Sequence, residues 1–271
     1  MKISFIGGGN MASALISGLA GKFTTGSNIH VVDPNPEALE RLRQAHGVTV
    51  AHAIGDDVRS SEVVVLAVKP QQMREAAALL LPQLRADTLV LSIAAGIRGA
   101  DLSRWLGGHR AIVRTMPNTP ALIGRGITGM VAMDGVSEAQ KTAADAIMKA
   151  AGQTVWLDDE ALIDPVTAVS GSGPAYVFYF LEAMQQAAVE LGLSEEQGRE
   201  LAVATFAGAA ELAARSPESL QVLRERVTSK GGTTYAAITS MEQGGVKDAV
   251  VRAVKAASAR GRELGEEMGR N

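Results

Sequence analysis

The chain has 271 residues, room for two domains of ordinary size, and its 46% hydrophobic and 20% charged residues exclude a disordered polymer. A formal net charge of −3 gives no electrostatic footprint for nucleic acid or an anionic membrane, which leaves small molecules as the expected ligands. Cysteine is absent, so disulfides, thiolate metal sites and cysteine nucleophiles are excluded, no metal is expected, and a reducing cytoplasm is allowed.

Lys2 to Ile6 reads as a first strand. Gly7-Gly8-Gly9-Asn10 breaks the apolar stretch that follows, which argues against a signal peptide, and no apolar run reaches the 18 or more residues that span a bilayer. Asn28 to Asp33 reads as a second strand, and Pro36 to His46 as a helix with proline at its start and Gly47 after its end. Further strands are expected at Val63 to Val68, Thr88 to Ile93, Ala111 to Met116, Gly126 to Met133 and Thr154 to Leu157. Helical patterns near Gln71 to Leu81, Gly99 to Leu106 and Ser137 to Ala151 fit between them. Alternating strands and helices imply right-handed crossovers and an α/β, doubly wound, mostly parallel Rossmann sheet over residues 1–160.

From 161 to 271 the alternation stops and the chain reads as all-α. Ser194 and Gln197 form a capping box for a helix to about Arg215, and Pro217 is expected in the first turn of another. Glycine-rich breaks fall at Ser170 to Pro174 and Ser229 to Thr234. The last helix, Val246 to about Met268, carries one apolar stripe through Val246, Ala249, Val250, Ala253, Val254 and Ala257, which on general grounds is private core.

Chemistry is expected where ligands collect, at the carboxyl edge of the sheet. Gly7-Gly8-Gly9-Asn10-Met11-Ala12 fits G-x-G-x-x-A between a strand and a helix: Gly7 makes the tight turn, Gly9 admits a pyrophosphate, and Ala12 packs helix on strand. Asp33 ends the second strand, where a carboxylate favours the ribose of NAD, yet it also reads as the turn that starts the next helix. Arg41 and Arg43 offer cations for the 2′-phosphate of NADP, which leaves the choice of cofactor open. Lys69, aimed by Pro70, and Ala94-Ala95 follow later strands, and Asn118 sits in a proline-stiffened loop where it either orients a ligand or caps the turn. The loop Ser229 to Thr234 has the hydroxyls and backbone amides to hold a carboxylate, or is a plain turn between helices. All four histidines, His30, His46, His52 and His109, lie in the first half. The helical half therefore offers no imidazole base for oxidising an alcohol, whereas a protonated imine needs none to accept hydride.

Five motifs, in order, resemble the pyrroline-5-carboxylate reductase family: Phe5 to Met11, Ala67 to Pro70, Met116 to Pro120, Ala168 to Tyr176, and Val227 to Ser229 with Gly231 to Thr234. The resemblance runs nearly end to end. It implies a Rossmann domain and a helical dimerisation domain, an intertwined homodimer that turns the final stripe into interface, and rings of such dimers up to a homodecamer. It implies hydride transfer from NADPH, with NADH possible, to C5 of L-1-pyrroline-5-carboxylate, giving L-proline in the cytoplasm. By the same resemblance Gly7, Gly8, Gly9, Asn10, Met11, Asp33 and Asn35 hold the cofactor. Ala67, Val68, Lys69, Pro70, Ala94, Ala95 and Asn118 line its nicotinamide end. Ser229, Gly231, Gly232, Thr233 and Thr234 hold the substrate, against the partner subunit's Rossmann domain, with Lys69, Asn118, Ser170 and Thr234 nearest the chemistry. Two features depart from the family pattern: Lys230 stands where proline is common, and the stretch from Pro217 to Val227 is longer than usual.

Overall fold

A computed structural model describes residues 1–270. The chain forms two compact units: Met1–Ser172 together with the chain from Ala256 onward, and Gly173–Lys255.

In the first unit eight strands, among the described residues, form one sheet in the order β3-β2-β1-β4-β5-β6-β7-β8. They are β1 Ile3–Ile6, β2 Ile29–Val32, β3 Thr49–Ala51, β4 Val63–Leu66, β5 Leu89–Ser92, β6 Ile112–Met116, β7 Gly126–Ala132 and β8 Gly152–Trp156. β1, β4 and β5 are buried at every position, as strands covered by helices on both faces must be. On one face Phe5, Val31 and Leu91 pack under α1 (Asn10–Leu19), α2 (Pro36–His46) and α5 (Glu138–Lys149). On the other, Ile6, Leu66 and Val90 pack under α3 (Met73–Leu80) and α4 (Gly99–Trp105). This is the expected doubly wound arrangement.

Local chemistry sets the ends. Pro36 opens α2, the Asn35 side chain accepts from the Glu37 and Ala38 amides, and Gly47 closes it at φ 65°. Ser137 and Gln140 form a capping box on α5.

Several expectations need correction. β1, β2, β4, β5, β6 and β7 are shorter than expected at one or both ends, β8 begins at Gly152, two residues before its expected start, and β3 was not foreseen. β6 and β7 pair antiparallel, because the nine residues between them are too few for a crossover back to a parallel neighbour. The expected helix at Gln71 to Leu81 is a 3₁₀ turn at Pro70–Gln72, then α3, then a second 3₁₀ turn at Leu81–Gln83.

After β8 a 3₁₀ turn at Glu160–Leu162 leads into α6 (Ile163–Val166) and a π-helical turn, Thr167–Gly171, in which the Ser172 amide reaches back five residues to the Thr167 carbonyl.

The second unit holds α7 (Gly173–Glu190), α8 (Glu195–Arg215), α9 (Leu220–Arg226), α10 (Thr233–Gln243) and the first part of α11 (Val246–Gly269). The Ser194 capping box opens α8 as expected. Pro217 does not open α9; Ser219 caps it by accepting from the Val222 amide, and Pro217 lies outside the helix. α7 and α8 pack closely where Gly198 faces Ala188, and the Phe180 and Phe206 rings stack with centroids 6.5 Å apart. Much of this unit's apolar surface is bare, including Phe178 (60% exposed), Tyr179 (72%) and Leu212 (71%). The stripe on α11 is likewise no private core, since Ala249, Val250 and Ala253 are exposed.

The carboxyl end of α11 belongs to the first unit. Three glycines one turn apart line one of its faces: Gly261 faces Asp164, Gly265 faces Arg98, and Gly269 faces Asp101. Arg104 donates to the Gly269 carbonyl at 3.0 Å.

Candidate functional site

Parallel strands bring the ends of β1, β2, β4 and β5 to one edge, and the glycine loop lies there. Gly7 leaves β1 at φ 106°, its amide donating to the Val32 carbonyl at 2.7 Å. A Cβ on Gly7 would stand 2.6 Å from the Ala67 carbonyl oxygen, so only glycine fits both the dihedral and the space. The Gly8 amide donates to Asp33 Oδ2 at 2.7 Å. Gly9 is the N-cap of α1, offers no side-chain cap, and has nothing within 4 Å of its missing Cβ. The first amides of α1 therefore carry no side-chain cap, beside open space at Gly9 and at the positive end of a ten-residue helix, which suits a pyrophosphate. Ala12, 1% exposed, packs the helix onto the sheet as its position predicted.

Asp33 forms the expected turn and makes a second contact, to the glycine loop, that the sequence does not predict. Oδ2 holds the glycine loop, and Oδ1 accepts from the Asn35 amide at 2.8 Å to form the turn into α2. Asn35 Oδ1 is engaged in capping α2, which leaves Nδ2 as the other polar atom of that side chain. Arg43 is held by Glu40 through two hydrogen bonds of 2.9 Å, while Arg41 is exposed.

Around the same edge, Ala67 touches Gly7, and Lys69 is exposed with Pro70 starting the 3₁₀ turn behind it. Ala94 and Ala95 follow β5, Ala94 buried and Ala95 half-buried. Asn118, 8% exposed, neither caps its turn nor keeps a free amide: Oδ1 accepts from the Ile127 amide at 2.9 Å and Nδ2 donates to the Ser170 carbonyl at 3.1 Å. It joins β7 to the π-helical turn. Within that turn Ser170 Oγ donates to the Val166 carbonyl.

The first unit thus gathers Gly7 to Met11, Asp33, Asn35, Ala67 to Pro70, Ala94, Ala95, Asn118 and Ser170. Ser229 to Thr234 belong to the second unit. There Gly231 turns the chain at φ 76°, the Gly232 amide donates to the Ser229 carbonyl at 3.0 Å, and Gly232 stands at the N-cap of α10 without a side-chain cap. The loop is a turn between helices, and it also presents amides without a side-chain cap and the exposed Thr233 and Thr234 at the start of an eleven-residue helix. Lys230 is exposed, and nothing in the structure explains its departure from proline.

His30 and His109 lie toward the amino ends of the strands, bonded to Thr49 Oγ1 and to the Thr88 carbonyl, and burial pushes both imidazoles below their ordinary pKa. Among the described residues no cluster of His, Cys, Asp or Glu is arranged to hold a metal, and no helix is long and apolar enough to cross a membrane.

Sequence reading missed one polar cluster. Arg114, 5% exposed on β6, pairs with Glu160 Oε1 at 2.5 Å, and the same oxygen accepts the Gly99 amide at 2.6 Å. The available signal was a charged residue inside an apolar strand, which requires a buried partner.

Residues 2–96 match the family "NADP oxidoreductase coenzyme F420-dependent". With the glycine loop on an open helix terminus, this places the chain among the dinucleotide-binding oxidoreductases of Rossmann type. Residues 160–264 match the family "Pyrroline-5-carboxylate reductase dimerisation". A pyrroline-5-carboxylate reductase of Pseudomonas aeruginosa is 45% identical over 268 residues, 99% of this chain and 98% of that protein. One of Haemophilus influenzae is 41% identical and covers 97% of each chain. Among solved structures, a pyrroline-5-carboxylate reductase from Coxiella burnetii superposes with a TM-score of 0.91 at 38% identity, covering 97% of this chain and 98% of that one. The Plasmodium falciparum pyrroline carboxylate reductase, solved with NADP bound, superposes with a TM-score of 0.86 at 30% identity over 98% of each chain. The chain belongs to the pyrroline-5-carboxylate reductase family.

Proposed function

We propose that this protein reduces L-1-pyrroline-5-carboxylate to L-proline, the last step of proline biosynthesis, with NADPH as hydride donor and NADH as a secondary one. The observation that carries this reading is the open amide cradle behind Gly9, set on a chain that reductase relatives match from end to end. A missing Cβ with nothing around it, at a helix start with no side-chain cap, fits a dinucleotide pyrophosphate.

When bound, the dihydronicotinamide supplies the hydride. Residues 1–160 hold the dinucleotide. Gly7, Gly8, Gly9, Asn10 and Met11 bind its phosphates, Asp33 accepts a ribose hydroxyl, and the Asn35 amide nitrogen serves the adenosine end. Ala67, Val68, Lys69, Pro70, Ala94 and Ala95 line the nicotinamide end. Asn118 acts by holding Ser170 and β7 in register. Ser229, Gly231, Gly232, Thr233 and Thr234 hold the substrate carboxylate through amides and hydroxyls. The protonated imine carbon takes the hydride and its nitrogen becomes the amine, so no general base is required. Catalysis then rests on placement, with orientation fixed before the reaction.

Residues 161–271 form the homodimer through their helices, supported by the bare apolar surface of α7 and α8, and dimers assemble further into a ring of up to ten subunits in the cytoplasm. The purified protein should consume NADPH with pyrroline-5-carboxylate and yield proline. Cofactor binding without proline formation would refute the substrate assignment.

A further inference from the structure

A cation as deeply buried as Arg114 needs a counter-charge, and Glu160 provides it from the turn that follows β8. Charge balance accounts for the contact with Arg114 and leaves the second contact of the same oxygen unexplained. Glu160 Oε1 also accepts the Gly99 amide, sixty-one residues away in sequence. Gly99 is the first residue of α4 and ends the loop that leaves β5 with Ala94 and Ala95. As a first-turn amide it has no acceptor within its own helix. Asn118, four residues beyond Arg114, meanwhile donates to Ser170, ten residues beyond Glu160. The segment 160–170 is thus fastened to β6 and its following loop at two points, and Glu160 extends that fastening to the loop after β5.

We propose that Glu160 is a positioning residue of the cofactor edge: its carboxylate fixes the Gly99 amide, and with it the loop bearing Ala94 and Ala95, relative to β6 and the Asn118–Ser170 pair. The inference rests on the reading of that edge as the dinucleotide site. Glu160 touches neither cofactor nor substrate in this account. It sets the height of a wall.

Removing Glu160 alone would strand the Arg114 cation and damage the fold for an unrelated reason, so the comparison is made in an Arg114→Met background. In the full-length protein, Arg114→Met/Glu160→Gln keeps a carbonyl oxygen for the Gly99 amide, and Arg114→Met/Glu160→Ala removes it. The dissociation constant for NADPH, by calorimetric titration, should stay within about threefold of wild type for the glutamine variant and weaken about tenfold for the alanine variant, the scale of one lost hydrogen bond. Exchange of the Gly99 amide, read without ligand, should be faster only in the alanine variant. Equal affinities and equal exchange in the two would make Glu160 a counter-ion and overturn the proposal. Glu160→Asp in the otherwise native protein is a second test, because it keeps the charge but draws the oxygens back by about 1.5 Å, one carbon–carbon bond. It should also bind NADPH about tenfold more weakly, and wild-type binding would overturn the proposal. NADPH is measured directly, so a protein that binds it without making proline would defeat the functional reading and leave this one standing.

Discussion

Gly7 and Gly9, two residues apart in one loop, should fail in opposite ways when given a methyl group. At Gly7 the added Cβ would stand 2.6 Å from the Ala67 oxygen and 2.7 Å from its carbonyl carbon, against the 3.4 Å at which ordinary contact begins. The obstacle is backbone at the end of a central strand, so the loop itself must move by about 0.8 Å, the difference between 3.4 and 2.6. To this is added an L-residue at φ 106°. Strain of about 1–3 kcal/mol for the dihedral and about 1–3 kcal/mol for the overpacking gives roughly 2–6 kcal/mol, a large share of a typical stability of about 5–15 kcal/mol. Gly9 has φ −71° and empty space around its missing Cβ, so Gly9→Ala should cost the apo fold less than about 1 kcal/mol as a poorer N-cap. Its methyl would instead occupy the space a pyrophosphate needs. Losing one or two charge-assisted bonds to first-turn amides, about 1.5–3 kcal/mol each, should weaken NADPH binding about a hundredfold. Urea unfolding without cofactor and calorimetric titration with NADPH separate the two effects. An apo Gly7→Ala as stable as wild type, or a Gly9→Ala that binds NADPH normally, would refute the reasoning.

Thr234→Ala should raise the Michaelis constant for pyrroline-5-carboxylate about tenfold, as loss of one bond to a carboxylate, and leave the pH profile of turnover unchanged; steady-state kinetics across pH checks both. Phe178→Asp combined with Leu212→Asp should dissociate the dimer by at least a hundredfold, since each apolar side chain contributes about 1.5–3 kcal/mol and counts twice across a two-fold axis, and sedimentation reads the outcome. Burial holds His30 and His109 below their ordinary pKa, so the unfolded chain takes up protons first as pH falls. Stability should be full above about pH 6.5 and decline below it until the folded histidines also protonate. Urea midpoints between pH 7 and 5 should show the decline, and His109→Gln, which keeps a donor for the Thr88 carbonyl, should flatten it.

The stretch from β1 to Gly47 was legible because its signals are local. A strand, three glycines, a small residue and a helix follow within seventeen positions, and the Pro36 to Gly47 helix carries its own start and stop. β3 escaped because three residues, Thr49–Ala51, show no periodicity. Pro217 misled because proline suits a first helical turn in general, but here Ser219 makes the better cap two residues later. The reversal of β7 could have been deduced from the nine-residue connection before it. The π-helical turn at Thr167–Gly171 could not, since composition does not distinguish bonds five residues apart from bonds four apart. At the site, the glycine loop was readable, whereas the bridge that Asn118 makes in place of a cap, between β7 and the π-helical turn, was not, because the two elements are far apart in sequence. Arg114 announced that it needed a partner without naming it, because only the topology brings Glu160 beside it.

The glycine face at the end of α11 bears on how the protein is made. Gly265 and Leu264 lie against the loop at Gly96, a segment translated about 170 residues earlier. At a ribosome's pace of about 5–20 residues per second, the roughly 110 residues between the end of β8 and Gly265 give the complete sheet about five to twenty seconds in which to assemble before those turns arrive. A nascent chain can therefore carry a folded sheet while the loop at Gly96 still lacks the helical turns that cover it.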